Sequence, residues 1–177
     1  IIDCGSNIGT SSVYFNKIFP ESNILSIEPD KNSFEFSKRN INFKNSLLIN
    51  KAINCEKNKV NFFSDIKDNR ASKVSLKGGD IVESATINEI IEDLKPRNNK
   101  PFLIKIDIEG FESKLFSKNY EWLNEFKVII IEIHDWMLPK EFNSFNFLRA
   151  LVETMSKKSK RDLLILEENL ISIRIDE

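Results

Sequence analysis

Two stretches decide the fold of this chain: Asp3-Cys4-Gly5-Ser6-Asn7-Ile8-Gly9 and, further on, Ile27-Glu28-Pro29-Asp30. An apolar strand start, Ile1-Ile2, runs into an acid and a glycine turn, and a helix opens at Thr10-Ser11-Ser12. A second apolar stretch, Ile24-Leu25-Ser26-Ile27, again ends in an acid. In a β-α-β unit both acids lie at carboxyl ends of neighbouring parallel strands, the edge where doubly wound sheets bind nucleoside-containing ligands. Gly5 lets the backbone approach such a ligand, and Glu28 offers two acceptor oxygens to a ribose diol.

The remaining pattern extends this unit. Strands are expected at 1–4, 24–28, 47–53, 60–64, 102–107 and 128–133, alternating with helices at 10–19, 31–42, 86–94, 112–116 and 141–157. Asp30 is placed to cap the second helix. The strand at 60–64 is expected to extend the edge formed by 47–53. Residues 65–85, polar and carrying Gly78-Gly79, read as a long loop, of a length that is usually functional or disordered. The last helix is expected to bury Phe142, Phe145, Leu148, Val152 and Met155 on one face. Leu163–Leu166 and Leu170–Ile173 read as a terminal hairpin turning at 167–169. The expected architecture is α/β, doubly wound and mostly parallel, forming a single domain over 1–177.

Composition narrows the function classes. The chain has 177 residues, is 41% hydrophobic and 30% charged, and carries a formal net charge of −1. That near-neutral balance gives no electrostatic footprint for nucleic acid. No apolar run reaches the roughly 18–20 residues of a membrane span. Cys4 and Cys55 fall near the ends of the first and third strands, roughly 9–10 Å apart and beyond an unstrained disulfide. Free thiols and a cytoplasmic location are therefore expected. The chain opens with Ile inside its first strand, so further sequence is expected upstream.

The glycine turn departs from a dinucleotide fingerprint: Asn7 occupies the middle glycine position and Thr10 follows Gly9. A pyrophosphate cradle, and with it a nicotinamide oxidoreductase, is disfavoured. The amino-acid end of S-adenosylmethionine (AdoMet) suits the loop better. Asp3 then serves its ammonium, directly or through water, or else simply caps the first helix. Asp107, ending Lys105-Ile106-Asp107-Ile108-Glu109-Gly110-Phe111-Glu112, is expected to face the ligand across the switch point. Lys105 shares a strand face with Asp107 and needs an acidic partner. Glu109 and Glu112 read first as turn and helix-dipole chemistry. His134, the one histidine of the chain, falls at the end of the next strand and is the expected general base, with Asp107 as the alternative. Glu132 either orients His134 or pairs with Lys105, and Trp136 either stacks on a sugar or plugs the loop. Asp107, Glu109, Glu132, His134 and Asp135 have the oxygen-rich chemistry of a Mg²⁺ or Ca²⁺ site, but no spacing is diagnostic and no metal is assigned.

These motifs, together with Asn50-Lys51-Ala52-Ile53 and Ile131-Glu132-Ile133-His134, resemble the FkbM family of class I AdoMet-dependent methyltransferases. The resemblance covers roughly residues 1–136, and the stretch 105–112 is its most particular part. It implies a Rossmann-like sheet of seven strands with a C-terminal antiparallel hairpin. It also implies methyl transfer to a hydroxyl of a saccharide or natural product. AdoMet contacts are expected from Asp3, Gly5, Ser6, Asn7, Glu28, Pro29, Ala52 and Asp107, and His134 and Asp107 are the expected catalytic residues. The rival reading is a module that binds AdoMet without catalysis.

Overall fold

Short strands alternate with helices along the chain, and the register of their pairing sets the sheet. The computed structural model describes residues 1–63, 73–75, 80–97, 99–135, 140, 142–155 and 160–175. In chain order the elements are β1 (Ile2–Cys4), α1 (Thr10–Ile18), β2 (Ile24–Ile27), α2 (Lys31–Asn40), β3 (Ser46–Ile49), β4 (Ala52–Ile53) and β5 (Lys59–Phe63). They continue with β6 (Lys73–Ser75), β7 (Asp80–Ala85), α3 (Ile87–Leu94), β8 (Leu103–Ile106), α4 (Glu112–Leu115), β9 (Val128–Glu132), α5 (Asn143–Thr154), β10 (Lys160–Leu166) and β11 (Asn169–Ile175).

Seven strands form one sheet in the order β3-β2-β1-β8-β9-β11-β10. Neighbours are parallel from β3 to β9, and β11 lies antiparallel to both β9 and β10. This is the doubly wound sheet with a terminal hairpin that the sequence predicts. The strand order reverses between β1 and β8, so their carboxyl ends open the crevice where such sheets take ligands.

Every residue of β1 and β2 is buried, which is why these strands read as apolar runs without alternation. Beneath the sheet, Trp122, Phe116, Phe126 and Phe147 are fully buried and pack with Ile104, Ile106, Ile129 and Ile131 of β8 and β9. The Phe116 and Phe147 rings meet edge-on at 5.0 Å between centroids. Helix starts follow local chemistry. The Asp30 carboxylate accepts from Ser33 N at 2.7 Å, and Thr86 forms a reciprocal capping box with Glu89.

Four expectations are corrected. The strand expected over 47–53 breaks at Asn50, whose Nδ2 donates to the Glu28 and Pro29 carbonyls at 2.8 and 3.1 Å and turns the chain. Its second half, β4, leaves the main sheet and pairs with β7. Consequently β5 does not extend the main edge; it lies between β6 and β7 in a separate four-stranded sheet. Part of the expected loop at 65–85 is strand, β6 and β7, while 64–72 and 76–79 lie outside the described residues.

The fourth correction concerns α5. Its buried positions are Asn143, Phe147, Ala150 and Leu151, whereas Phe142, Phe145, Leu148 and Val152 are exposed. Two apolar stripes compete on this helix, and the one containing Phe147, small Ala150 and Leu151 joins the aromatic core. Cys4 and Cys55 are both free and buried. Among the described residues no helix is long and apolar enough to cross a membrane.

Candidate active site

The loop after β1 is built on left-handed backbone at Gly5, Asn7 and Gly9, with φ of 77°, 49° and 90°. A side chain at Gly5 is excluded twice over, because a Cβ there would stand 1.7 Å from the Asp107 carbonyl oxygen. The approach of this loop to the end of β8 therefore depends on glycine. Gly5 N and Ser6 N donate to the Ile27 carbonyl at 2.9 and 3.0 Å, tying the loop to the tip of β2.

Asp3 is fully buried behind this loop. Its Oδ2 accepts from the Ser11 and Ser12 hydroxyls at 2.6 and 2.5 Å, and its Oδ1 has no hydrogen-bond partner. Asp3 thus fastens the first turn of α1, and neither it nor buried Ser6 lines the cavity in front of the loop. The small hydroxyl side chains at positions 11 and 12 engage Oδ2 alone, and Oδ1 is the oxygen left for the expected ammonium contact.

Glu28 has the placement expected of it. It stands at the tip of β2 and is 6% exposed. Its Oε2 accepts from Asn7 N at 2.8 Å and its Oε1 from Asp30 N at 2.7 Å. Burial pushes its carboxyl up to about 7, against the two backbone N–H groups, which pull it down. The residue forms one wall of a cavity of about 620 Å³ including its open mouth. Gly5, Asn7, Pro29, Ala52 and Asp107 line the same cavity, with apolar surface from Ile27, Ile53, Phe62 and Ile108.

Across the switch point lies a charged cluster. Lys105 Nζ donates to Asp107 Oδ2 at 2.8 Å, the acidic partner it was expected to need. Burial pulls the Lys105 ammonium down, but Asp107 and Asp3 hold it above its ordinary value. Left-handed backbone at Glu109 and Gly110, φ 53° and 88°, turns the chain into α4 and brings Glu109 to the cavity wall. Glu112 is fully buried, and its Oε1 meets His134 Nδ1 at 3.0 Å and accepts from Gly110 N at 3.3 Å.

His134 is itself only 1% exposed, and its Nε2 faces Glu132 Oε1, Glu109 Oε2 and Asp107 Oδ1 at 3.4, 3.6 and 3.8 Å. Burial alone would depress the imidazole. The hydrogen bond to Glu112 and the surrounding carboxylates outweigh it and raise the group to about 9. Burial, then Asp107, pushes Glu109 up to about 7, and the same two causes raise Glu132.

His134, the expected general base, stands beside this cavity rather than in its lining, and the carboxylates around it favour its protonated form. From sequence alone its partner Glu112 reads as turn and helix-dipole chemistry. The sequence signal that could have exposed it is the pairing of one acid at a helix start with the one histidine at the next strand end. Asp135 turns away from the cluster to accept from the Ser144 backbone and hydroxyl at the start of α5. Trp136 lies outside the described residues.

Seven strands in this order, a glycine turn after the first and an acid at the tip of the second define the class I methyltransferase fold. Solved structures agree on the fold. A putative caffeoyl-CoA O-methyltransferase from Staphylococcus aureus superposes with a TM-score of 0.56 at 15% identity, covering 98% of this chain and 74% of that one. An O-methyltransferase from Bacillus cereus in complex with SAH gives 0.53 at 13% identity, covering 99% and 73%. The Methyltransferase FkbM domain matches residues 3–160, and the chain belongs to that family. It is 26% identical over 163 residues to the hexuronic acid methyltransferase AglP of Haloferax volcanii. That alignment covers 90% of this chain and 66% of the relative's length.

Proposed function

We propose that this chain is an AdoMet-dependent O-methyltransferase whose acceptor is a hydroxyl on a saccharide. One observation carries the reading: a buried carboxylate, Glu28, at the tip of β2, held by backbone N–H groups in a cavity that reaches the acids at the tip of β8. A buried carboxylate without a neighbouring cation is costly, and hydrogen donors from a ribose diol relieve it. The apolar surface of Ala52, Ile53, Phe62 and Ile108 fits an adenine ring. Family membership supports methyl transfer, and the hexuronic acid named for the Haloferax relative supports a saccharide acceptor.

AdoMet, when bound, supplies a methyl group on a sulfonium. The chain supplies position: Glu28 fixes one end of the cofactor, and the Gly5–Gly9 loop sets how closely it approaches β8. Holding two reactants in near-attack geometry is worth about 7–11 kcal/mol. Two carboxylates line the far wall. Asp107 has one oxygen committed to Lys105, so Glu109 is the group that takes the hydroxyl proton during attack. Buried thiols accord with residence in a reducing compartment such as the cytoplasm.

Calorimetry with AdoMet, followed by methyl-labelled transfer to hexuronic-acid glycans, tests this. Glu28→Gln is expected to weaken AdoMet at least tenfold. Glu109→Gln is expected to lower kcat by about 10²–10⁴ while leaving AdoMet affinity within a few-fold. The product is expected to be an alkali-stable methyl ether, and an alkali-labile ester would overturn the hydroxyl assignment. Absence of AdoMet binding would overturn the whole reading, and binding without transfer would favour a regulatory module.

A further inference from the structure

The cluster around His134 carries more negative charge than its own residues balance. Asp107, Glu109, Glu112 and Glu132 surround the imidazole, and Lys105 is bound to only one of them, Asp107. One buried and three half-buried acids at this density favour a positive partner.

The two nitrogens of His134 are treated differently. Nδ1 lies 3.0 Å from Glu112 Oε1, a normal hydrogen bond. Nε2, on a side chain 1% exposed, forms no such bond among the described residues. Three carboxylate oxygens stand around it at 3.4, 3.6 and 3.8 Å. A directional N–H donor draws one acceptor to about 2.7–3.2 Å rather than holding three at similar, longer distances. A spherical cation in place of the Nε2 proton suits the arrangement. Two donor atoms each about 2.1 Å from a shared ion stand about 3.4 Å apart at a tetrahedral angle. The candidate ligand atoms of Asp107, Glu132 and His134 all lie within 4.8 Å of one another.

We propose that Asp107 Oδ1, Glu132 Oε1 and His134 Nε2 form a binding site for one divalent transition-metal ion. One imidazole with two carboxylates suits an ion of the manganese-to-zinc range better than Mg²⁺ or Ca²⁺, which prefer all-oxygen shells. The surrounding residues support it as outer partners do in metal sites. Glu112 accepts from Nδ1–H, which leaves the Nε2 lone pair facing inward once the ion has displaced the Nε2 proton, and Lys105 holds Asp107 Oδ2 so that Oδ1 faces the site. Three protein ligands leave a position open, and Asp107 borders the cavity. On the methyltransferase reading of the preceding section, that position takes an acceptor oxygen. Binding of the ion does not depend on that reading.

Co²⁺ added to the cofactor-free chain tests the site directly. The expected result is the visible absorption of a four- or five-coordinate ion, saturating at about one per chain and displaced by Zn²⁺. His134→Gln and Glu132→Gln are expected to weaken Zn²⁺ at least tenfold, and Glu112→Gln by about 10–100-fold. Glu83→Gln, on the exposed surface of β7, is expected to change nothing. The wild-type spectrum decides even where a variant fails to fold: a spectrum of hexaaqua Co²⁺ only would overturn the proposal. So would Zn²⁺ affinity unchanged in folded His134→Gln and Glu132→Gln proteins. Neither result bears on AdoMet binding, which is measured without metal.

Discussion

Replacing Glu28 by Gln separates what this carboxylate does for binding from what it does to stability. In the unfolded chain the group titrates near its ordinary 4.5, whereas in the folded protein burial holds it at about 7. Below pH 4.5 both states keep the proton and the group is neutral toward folding. Between 4.5 and 7 the unfolded chain has released its proton while the folded one retains it, so stability falls as pH rises. Above 7 the whole deficit is present, about 3 kcal/mol at 1.36 kcal/mol per unit. A glutamine at 28 does not titrate. It leaves Asn7 N or Asp30 N without its acceptor, at a pH-independent loss of about 1–3 kcal/mol. Urea denaturation of both proteins across about pH 4 to pH 8 isolates the titration from that constant offset. The stability difference is expected to shift toward the glutamine protein by about 3 kcal/mol over this range. Curves that stay parallel would refute the claim that Glu28 is buried without a compensating cation. Ribose hydroxyls donate best to the ionised group, so AdoMet affinity is expected to rise with pH through 7, and saturating AdoMet to flatten the wild-type slope.

Gly5→Ala is expected to lose more than about 3 kcal/mol, because the added methyl both forces a strained φ and meets the Asp107 carbonyl oxygen; a urea midpoint measures it. Phe147→Ala is expected to lose about 3–5 kcal/mol by opening the core at a fully buried ring, whereas Phe145→Ser, at a residue 60% exposed, is expected to stay within about 0.5 kcal/mol. Thermal melts of the two variants decide which face of α5 is buried.

The main sheet was legible because its central parallel strands, buried on both faces, must be largely apolar runs, and those at β2 and β8 are followed by an acid at the strand tip. Glu28 and Asp107 declared themselves in that way. What the sequence hid depends on contacts distant in the chain. The break at Asn50 is set by its hydrogen bonds to the carbonyls of residues 28 and 29, which no local pattern encodes. On α5 two stripes of apolar residues satisfy helical spacing equally, and only the aromatic pocket around Phe116 and Trp122 selects Phe147 over Phe145. Asp3 was legible as a strand-end acid, but its commitment to Ser11 and Ser12 appears only once α1 folds back over β1.

The two sides of the crevice hold their acids in different ways, and the difference fits the roles proposed for them. On the β2 side a single carboxylate is fixed by backbone N–H groups, so its direction is set by the main chain and cannot be re-aimed by a neighbouring side chain. That suits a group which must present the same two oxygens to every copy of one ligand. On the β8 and β9 side four carboxylates share an imidazole and a lysine, so moving one charge changes the field at all the others. That suits a place where a proton changes hands. The boundary between them is the contact of Gly5 with the Asp107 backbone, which admits no side chain. Any substitution that widens it is therefore expected to damage transfer more than it damages cofactor binding, since only transfer requires both sides to meet.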